Sequence, residues 1–183
     1  MENITDQITQ LNIIWKNIRN NNLITPLEEE FKANKESIVK FDSNVIGNGF
    51  GIYIFYIKPT KIYNIKNLIS DWNQKGYIKY PKVVKKRFSK HKNINIKNEY
   101  PFYIGKSEKL GNRIKEHITY EKTASTFSLK LKGRDFFDEK NITFSYWKLP
   151  DELDNCTKEI KQFIITQIER ELRNKLNPWI GKQ

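Results

Sequence analysis

Six residues of this sequence are of types that can act together on a phosphodiester: Tyr53, Tyr103, Lys106, Arg113, His117 and Glu169. Cleavage of such a bond adds negative charge to the phosphate oxygens in the transition state, and arginine offers them a fixed fork of donors. A single carboxylate can hold Mg²⁺, which keeps most of its water ligands and binds phosphate as well. A phenol or a lysine can take a proton from the attacking water only where its pKa is lowered.

The spacing of two of these residues is informative. Arg113 and His117 lie four residues apart in a segment with helical periodicity, so they share one face of the predicted helix. They flank the apolar stripe of that helix, which predicts that both lie at the edge of a groove. Taken singly, each of the six has an ordinary explanation in a strand core or on a helix surface. Only the six residues together indicate a catalytic site.

The tyrosines are expected on strands. Two runs of β-branched and aromatic residues, 51–57 and 100–105, predict the strands that carry them, and Gly105 is expected to end the second. Alternating apolar residues over 142–146 predict a third strand, whereas the alternation over 127–131 is ambiguous between strand and loop.

The other residues of the set are expected on or near helices. Helical periodicity predicts a helix over residues 107–120 and a long last helix that carries Glu169. The last helix should begin near Asp154 or Asn155 and end at Asn177, which precedes a proline. Its inner face is predicted to carry Ile160, Phe163, Ile164, Ile168, Leu172 and Leu176.

Residues 1–46 are predicted to form a helical accessory region ahead of a main domain at 47–183. Apolar residues at helical spacing from Ile4 onward indicate a first helix. Thr25 and Pro26 indicate the start of a second, with the threonine as its cap. The alternative is that this region only extends the core.

Residues 58–99 form an insertion between the two tyrosine-bearing strands. Residues 60–75 are predicted to be helical, with Gly76 as the stop, and the stretch after Gly76 is the most basic of the chain. A charge run usually forms a solvated face, but the interleaved aromatics favour a surface that follows a nucleic-acid backbone. The residues of this basic surface are Lys79, Lys82, Lys85, Lys86, Arg87, Lys90 and Lys92, interleaved with Tyr77, Tyr80 and Phe88.

Composition favours a polyanionic partner. The 183 residues carry a net charge of +12, which attracts nucleic acid. The alternative is a compositional bias toward Ile, Lys and Asn. The one cysteine, Cys156, excludes an intramolecular disulfide and a cysteine-rich zinc site, and it is interpreted as an apolar filler. The absence of a membrane-length apolar run or a signal core predicts a soluble, cytoplasmic protein with no membrane partner.

Two tripeptides, Gly-Ile-Tyr at 51–53 and Tyr-Ile-Gly at 103–105, resemble the half-motifs that name the GIY-YIG nuclease superfamily. Residues further along the chain resemble the superfamily in the same order: an arginine and a histidine on a basic helix, then a glutamate a little over two turns before a proline. In this chain these residues are Arg113, His117, Glu169 and Pro178, and the resemblance covers residues 49–57 and 100–180.

The resemblance implies a role for each matched residue. Glu169 would bind a single Mg²⁺ or Mn²⁺, and Arg113 would hold the scissile phosphate. Tyr53 would activate the attacking water as general base. Tyr103 would position the phosphate or the nucleophile, and His117 would support Tyr53 or the phosphate.

Some features lie outside the resemblance or depart from it. Lys106 is added because a cation there could lower the pKa of a tyrosine or pair with phosphate. Glu171 is the alternative metal ligand, but it points about 200° around the helix from Glu169. The connection between the half-motifs is long, as in restriction enzymes of the superfamily that carry insertions. The asparagine that often comes after the proline is absent, and Asn177 is its one substitute.

Together these features predict an α+β fold: a small, mainly antiparallel three-stranded sheet flanked by helices, with an N-terminal helical extension and a basic insertion. The expected function is a metal-dependent DNA endonuclease, of restriction type or another defence or mobile-element nuclease. Cutting both strands with one site per chain would favour a homodimer. The alternatives are a catalytically inactive or RNA-directed nucleic-acid-binding protein of the same fold, and a ribosome-associated basic protein.

Overall fold

The computed structural model describes residues 3–19, 23–134 and 138–181. Within these ranges the α-helices are α1 (Ile4–Arg19), α2 (Ile24–Ala33), α3 (Ser43–Ile46), α4 (Ile65–Trp72), α5 (Lys85–Phe88), α6 (Leu110–Thr119) and α7 (Lys158–Leu176). The strands are β1 (Glu36–Ser37), β2 (Gly51–Ile57), β3 (Lys82–Val83), β4 (Tyr100–Ser107), β5 (Ile142–Lys148) and β6 (Ile180–Gly181). Short 3₁₀ turns lie at Ile38–Lys40, Glu139–Asn141 and Asp151–Leu153.

The main sheet is antiparallel, with its described strands in the order β1-β5-β2-β4. Every residue of β2 is buried because neighbouring strands and packed layers cover it on all sides. Such a strand needs a continuous apolar run, which residues 51–57 provide. The α+β prediction is confirmed. The sheet has four described strands where the sequence predicts three, the additional one being the two-residue β1.

Strand β4 lies at one edge of this sheet and runs through Gly105 to Ser107, so the prediction that Gly105 ends it is wrong. Gly105 pairs directly with Tyr53 in the ladder. A Cβ atom at Gly105 would lie 2.3 Å from the Tyr53 hydroxyl oxygen and 2.4 Å from its Cζ. The Tyr53 ring therefore fills the space above the glycine, which compensates for the missing side chain within the strand.

Two apolar cores lie on opposite faces of the sheet, because successive side chains of a strand point to opposite sides. Tyr53 and Phe55 belong to the core that includes Ile114 of α6. Ile54 belongs to the other core, together with Ile168 of α7 and residues of α2. The helix that carries Glu169 thus packs on one face of the sheet, while the tyrosines point to the other.

The predicted accessory region shares this fold. Strand β1 pairs with β5, and Leu27 and Phe31 of α2 are buried in the core beneath α7. Thr25 is not the helix cap, because α2 begins at Ile24 with Leu23 at the cap position. Its hydroxyl instead accepts a hydrogen bond from Lys175 Nζ at 2.9 Å.

Helices α1 and α4 form where predicted, but with different exposure or bounds. Ile4 and Ile8 of α1 are 70% and 60% exposed, so this face covers no core in the described structure. α4 begins at Ile65 because Asn64 caps it in a reciprocal capping box with Asn67. Ile62 therefore lies outside the helix and is exposed.

Helix α7 begins later than predicted, because Thr157 caps it through Ile160 N–H. Ile160 and Phe163 are exposed, so the prediction that they line the inner face is wrong for these two. Asn177, in the left-handed conformation, ends the helix as predicted.

The insertion at 58–99 is attached to the sheet through the C-terminal segment. Strand β3 pairs with β6, and Val84 N–H donates to the Trp179 carbonyl at 2.9 Å. Trp179 is fully buried, and its ring centroid lies 5.1 Å from that of Phe88 and 5.4 Å from that of Tyr100. The insertion therefore shares a core with strand β4.

Residues 127–131 form no strand. Leu129 and Leu131 are buried against the domain, and Leu131 N–H donates to the His117 carbonyl at 3.0 Å. This segment therefore covers the face of α6 that carries His117.

Candidate active site

A cavity of about 390 Å³ lies at the β4 edge of the sheet. Five of the six predicted residues meet there, and the sixth, His117, is hydrogen-bonded to one of them. The charged part of the described lining consists of three cations and one carboxylate, so the cavity attracts an anion. The described residues that line it are Tyr53, Tyr103, Gly105, Lys106, Arg113, Phe127, Glu169 and Arg173.

The two tyrosines reach the cavity from neighbouring strands. In the antiparallel register Phe55 pairs with Tyr103 and Gly105 pairs with Tyr53, which sends both phenol rings to the same face. Their ring centroids are 6.2 Å apart. Lys106 comes next on β4 and is half-buried at the cavity wall.

His117 is fully buried, so the prediction that it lies at a groove edge is wrong. Its Nε2 lies 2.7 Å from the Tyr53 hydroxyl oxygen. Its Nδ1 accepts a hydrogen bond from Leu129 N–H at 2.9 Å. The covering segment after α6 explains the error, because helical spacing alone does not show what packs over a helix.

These two contacts determine where the proton of His117 lies. Because Nδ1 accepts from a backbone N–H, the neutral ring carries its proton on Nε2 and donates it to the Tyr53 oxygen. Burial, and then the charge of Arg113, lower the pKa of His117 well below its usual value. His117 can therefore orient Tyr53 and stabilise its ionised form, but it cannot accept the proton of Tyr53.

The lowered pKa of His117 predicts an acid-sensitive fold. The unfolded chain binds a proton on this histidine below about pH 6.5, whereas the folded chain does not until lower pH. Stability should therefore fall as pH decreases below this value, by up to about 1.4 kcal/mol per pH unit. Urea unfolding between pH 5 and 7.5 measures the slope, and His117→Gln should reduce it.

Two comparisons make that measurement specific. His91→Gln tests whether removal of any histidine has the same effect. Parallel pH profiles for the wild type and His117→Gln would contradict the assignment of the slope to His117.

Burial keeps both phenols protonated in the free protein. It raises the pKa of Tyr53 well above its usual value, Tyr103 adds to this effect, and Arg113 opposes it. Burial also raises the pKa of Tyr103, with Arg173 and then Arg113 opposing. The charges of the two arginines therefore favour loss of a phenol proton.

Arg113 is half-buried at the cavity wall, where two contacts hold its guanidinium. Nη1 donates to the Glu116 carboxylate, and Nη2 donates to the Phe127 carbonyl at 2.6 Å. Burial lowers the pKa of Arg113, but Tyr53 and Glu116 raise it more, so the net shift is upward. The cavity thus contains a fixed cation beside the two phenols.

Helix α7 brings Glu169 to the cavity, although most of its core-facing residues pack on the other face of the sheet. Glu169 Oε1 lies 2.8 Å from Arg173 Nη2. Arg173 also donates to the Ile104 carbonyl of β4, from Nε at 3.2 Å and from Nη2 at 2.8 Å. The alternative ligand, Glu171, is not among the described lining residues and pairs with Arg170 at 3.3 Å.

In the insertion, the lysines of the basic surface and the aromatics interleaved with them differ in burial and contacts. Tyr80 and Phe88 are buried, and Tyr77 donates a hydrogen bond to the Gly133 carbonyl at 2.9 Å. The aromatics therefore hold the insertion together, and the expectation that they belong to the binding surface does not hold for Tyr80 and Phe88. Arg87 is half-buried; the exposed cations are Lys79, Lys82, Lys85, Lys86, Lys90 and Lys92.

Sequence reasoning misses one residue of the site and misplaces another. Arg173 comes one helical turn after Glu169, and that i,i+4 pairing is the signal that could have identified it. Arg87 is grouped with the basic surface, but burial and then the charge of Arg173 lower its pKa, and Glu169 opposes them. Its Nη1 is buried and has no hydrogen-bond partner among the described residues.

Comparison of this chain with known protein families, with curated proteins and with solved structures finds no match. Within the described residues, no helix is both long and apolar enough to cross a membrane. The same residues contain no group of three or more His, Cys, Asp and Glu side chains that could hold a metal ion.

Proposed function

We propose that this chain is a DNA endonuclease of the GIY-YIG type that hydrolyses phosphodiester bonds with Mg²⁺ or Mn²⁺. The observation that carries the proposal is the meeting of Tyr53, Tyr103, Lys106, Arg113 and Glu169 at one cavity. These residues come from two strands and two helices, and β2 and α7 lie far from β4 and α6 in the chain. Ordinary core and surface residues have no physical reason to meet around a cationic cavity.

The residues present fit a magnesium ion better than a zinc ion. Glu169 is the one carboxylate among the described lining residues, and Mg²⁺ is commonly held by one or two carboxylates together with waters and a phosphate. A zinc site would need more protein ligands than these residues offer. When bound, Mg²⁺ would polarise the phosphate and lower the pKa of a coordinated water.

The other residues have separate tasks in the proposed reaction. Arg113 and Lys106 bind the scissile phosphate and balance the charge that grows on its oxygens. Tyr53 first loses its own proton to solvent in the cavity and then accepts the proton of the attacking water, and His117 stabilises the phenolate by donating from Nε2. Tyr103 hydrogen-bonds the phosphate or the nucleophile.

The exposed lysines of the insertion supply the sequence-independent part of DNA binding. The six exposed lysines of the basic surface lie on an insertion that is packed against the site-bearing strand β4. Contacts between such lysines and phosphates release counterions, so affinity should fall as salt rises. A homodimer would place two sites on the two strands of the duplex.

Cleavage of a supercoiled plasmid tests the proposal. We expect Mg²⁺ or Mn²⁺ to convert the plasmid to nicked or linear forms, and excess chelator to abolish the conversion while gel-shift binding persists. A labelled RNA of matching sequence is the control for substrate. Binding without cleavage under all metal conditions would favour the inactive alternative, and cleavage of RNA alone would favour the RNA-directed one.

A further inference from the structure

The carboxylate of Glu169 is already engaged by a cation of the protein. Its partner Arg173 lies four residues further along α7, and the two side chains are 11% and 16% exposed. An ion pair with so little access to water is screened less than a surface pair. A metal ion would have to share Glu169 with Arg173 or displace it.

Arg173 is also fixed on its other side. Two of its N–H groups donate to the Ile104 carbonyl on the edge strand β4. The guanidinium therefore bridges the sheet edge and Glu169. Arg173 also lines the cavity, where a guanidinium group favours a phosphate.

We propose that Arg173 is a positioning residue that occupies Glu169 in the free protein and competes with the metal ion for this carboxylate. The inference rests on the proposed function and adds regulation to the same site. Metal binding is weak until a phosphate of bound DNA, received by Arg173, draws the guanidinium away from Glu169. The metal ion then binds after the substrate.

Titration of the DNA-free protein with Mn²⁺, followed by electron paramagnetic resonance, tests the competition. We expect Arg173→Gln to bind Mn²⁺ about tenfold more tightly than the wild type. Arg170→Gln removes the same charge from an exposed position of α7 and should leave the affinity unchanged. Glu169→Gln should abolish this binding. A residue that only maintained the structure would lower the affinity when replaced and could not raise it.

The outcomes separate this inference from the proposed function. Equal Mn²⁺ affinity in the wild type and Arg173→Gln, with loss in Glu169→Gln, would overturn the inference and leave the proposed function standing. Binding that survives Glu169→Gln would remove the metal role of Glu169 and the proposed function with it. If Arg173→Gln does not fold, Arg173→Lys serves instead, because it keeps a donor for Ile104 but loses the fork, and it should bind Mn²⁺ more tightly than the wild type.

The DNA-dependent part has its own measurement. Fluorescence anisotropy with an end-labelled duplex, in chelator, should show weaker binding by Arg173→Gln than by Arg170→Gln. Equal binding by the two variants would overturn the phosphate contact.

Discussion

Replacing Glu169 with glutamine is expected to reduce plasmid cleavage by about a thousandfold or more and to leave DNA binding intact. Glutamine keeps the shape of the side chain and its acceptor for Arg173, but it lacks the charge that holds a divalent cation. A thousandfold loss corresponds to about 4 kcal/mol of transition-state stabilisation. Single-turnover cleavage and anisotropy of a labelled duplex measure the two effects separately.

Glu171→Gln is the matched control for that substitution. Glu171 lies two residues along the same helix, is half-buried, and pairs with Arg170 away from the described cavity lining. We expect this variant to cleave like the wild type. Normal cleavage by Glu169→Gln, or a loss confined to Glu171→Gln, would show that the carboxylate is wrongly assigned.

Replacing Arg113 with alanine is expected to lower turnover about a hundredfold to a thousandfold, with a much smaller loss of DNA affinity. The guanidinium lines the cavity beside two buried phenols, and it lowers the pKa of both. Its removal takes away charge stabilisation of the phosphate and a positive charge that favours ionised Tyr53. Steady-state kinetics at several DNA concentrations separate kcat from KM.

Lys115→Ala is the control for charge on the same helix, because Lys115 is exposed on α6. Thermal unfolding of Arg113→Ala checks the loss of its contact with the Phe127 carbonyl. If affinity and turnover fell by the same factor, Arg113 would hold DNA without acting on the transition state.

The parts of the fold that depend on local pattern could be predicted. The apolar run of β2 and the helical stripe of α6 each depend on a few consecutive residues, and the structure places both as expected. Strand β1 could not be predicted, because two residues carry no periodicity and pair only after β5 is in place. Its formation depends on a contact between residues far apart in the chain.

The candidate site likewise has parts that the local sequence predicts and parts that depend on contacts between distant residues. The residue types and order of the six candidates can be read from the sequence, and five of them line one cavity. The burial of His117 depends on a segment twelve residues later that folds back over α6. Arg173 was not predicted because a basic residue near a helix C-terminus is ordinarily explained by the helix dipole.

The aromatics of the insertion illustrate a further limit. Alternation of lysine and aromatic residues is compatible with stacking on bases and equally with a small core whose charged side faces solvent. Only the pairing of β3 with β6 and the position of Trp179 show that Tyr80 and Phe88 belong to a core. Both depend on the last residues of the chain.

The contact between Tyr53 and Gly105 couples the residue types that the two tripeptides can carry at positions 53 and 105. A ring at position 53 is compatible only with a residue that has no side chain at position 105, because the two positions oppose each other across one rung. In distant relatives, a larger residue at the second position should therefore coincide with a smaller one at the first. Such a coordinated replacement would also remove the partner of His117, so under the proposed function a chain that shows it should have a different proton acceptor.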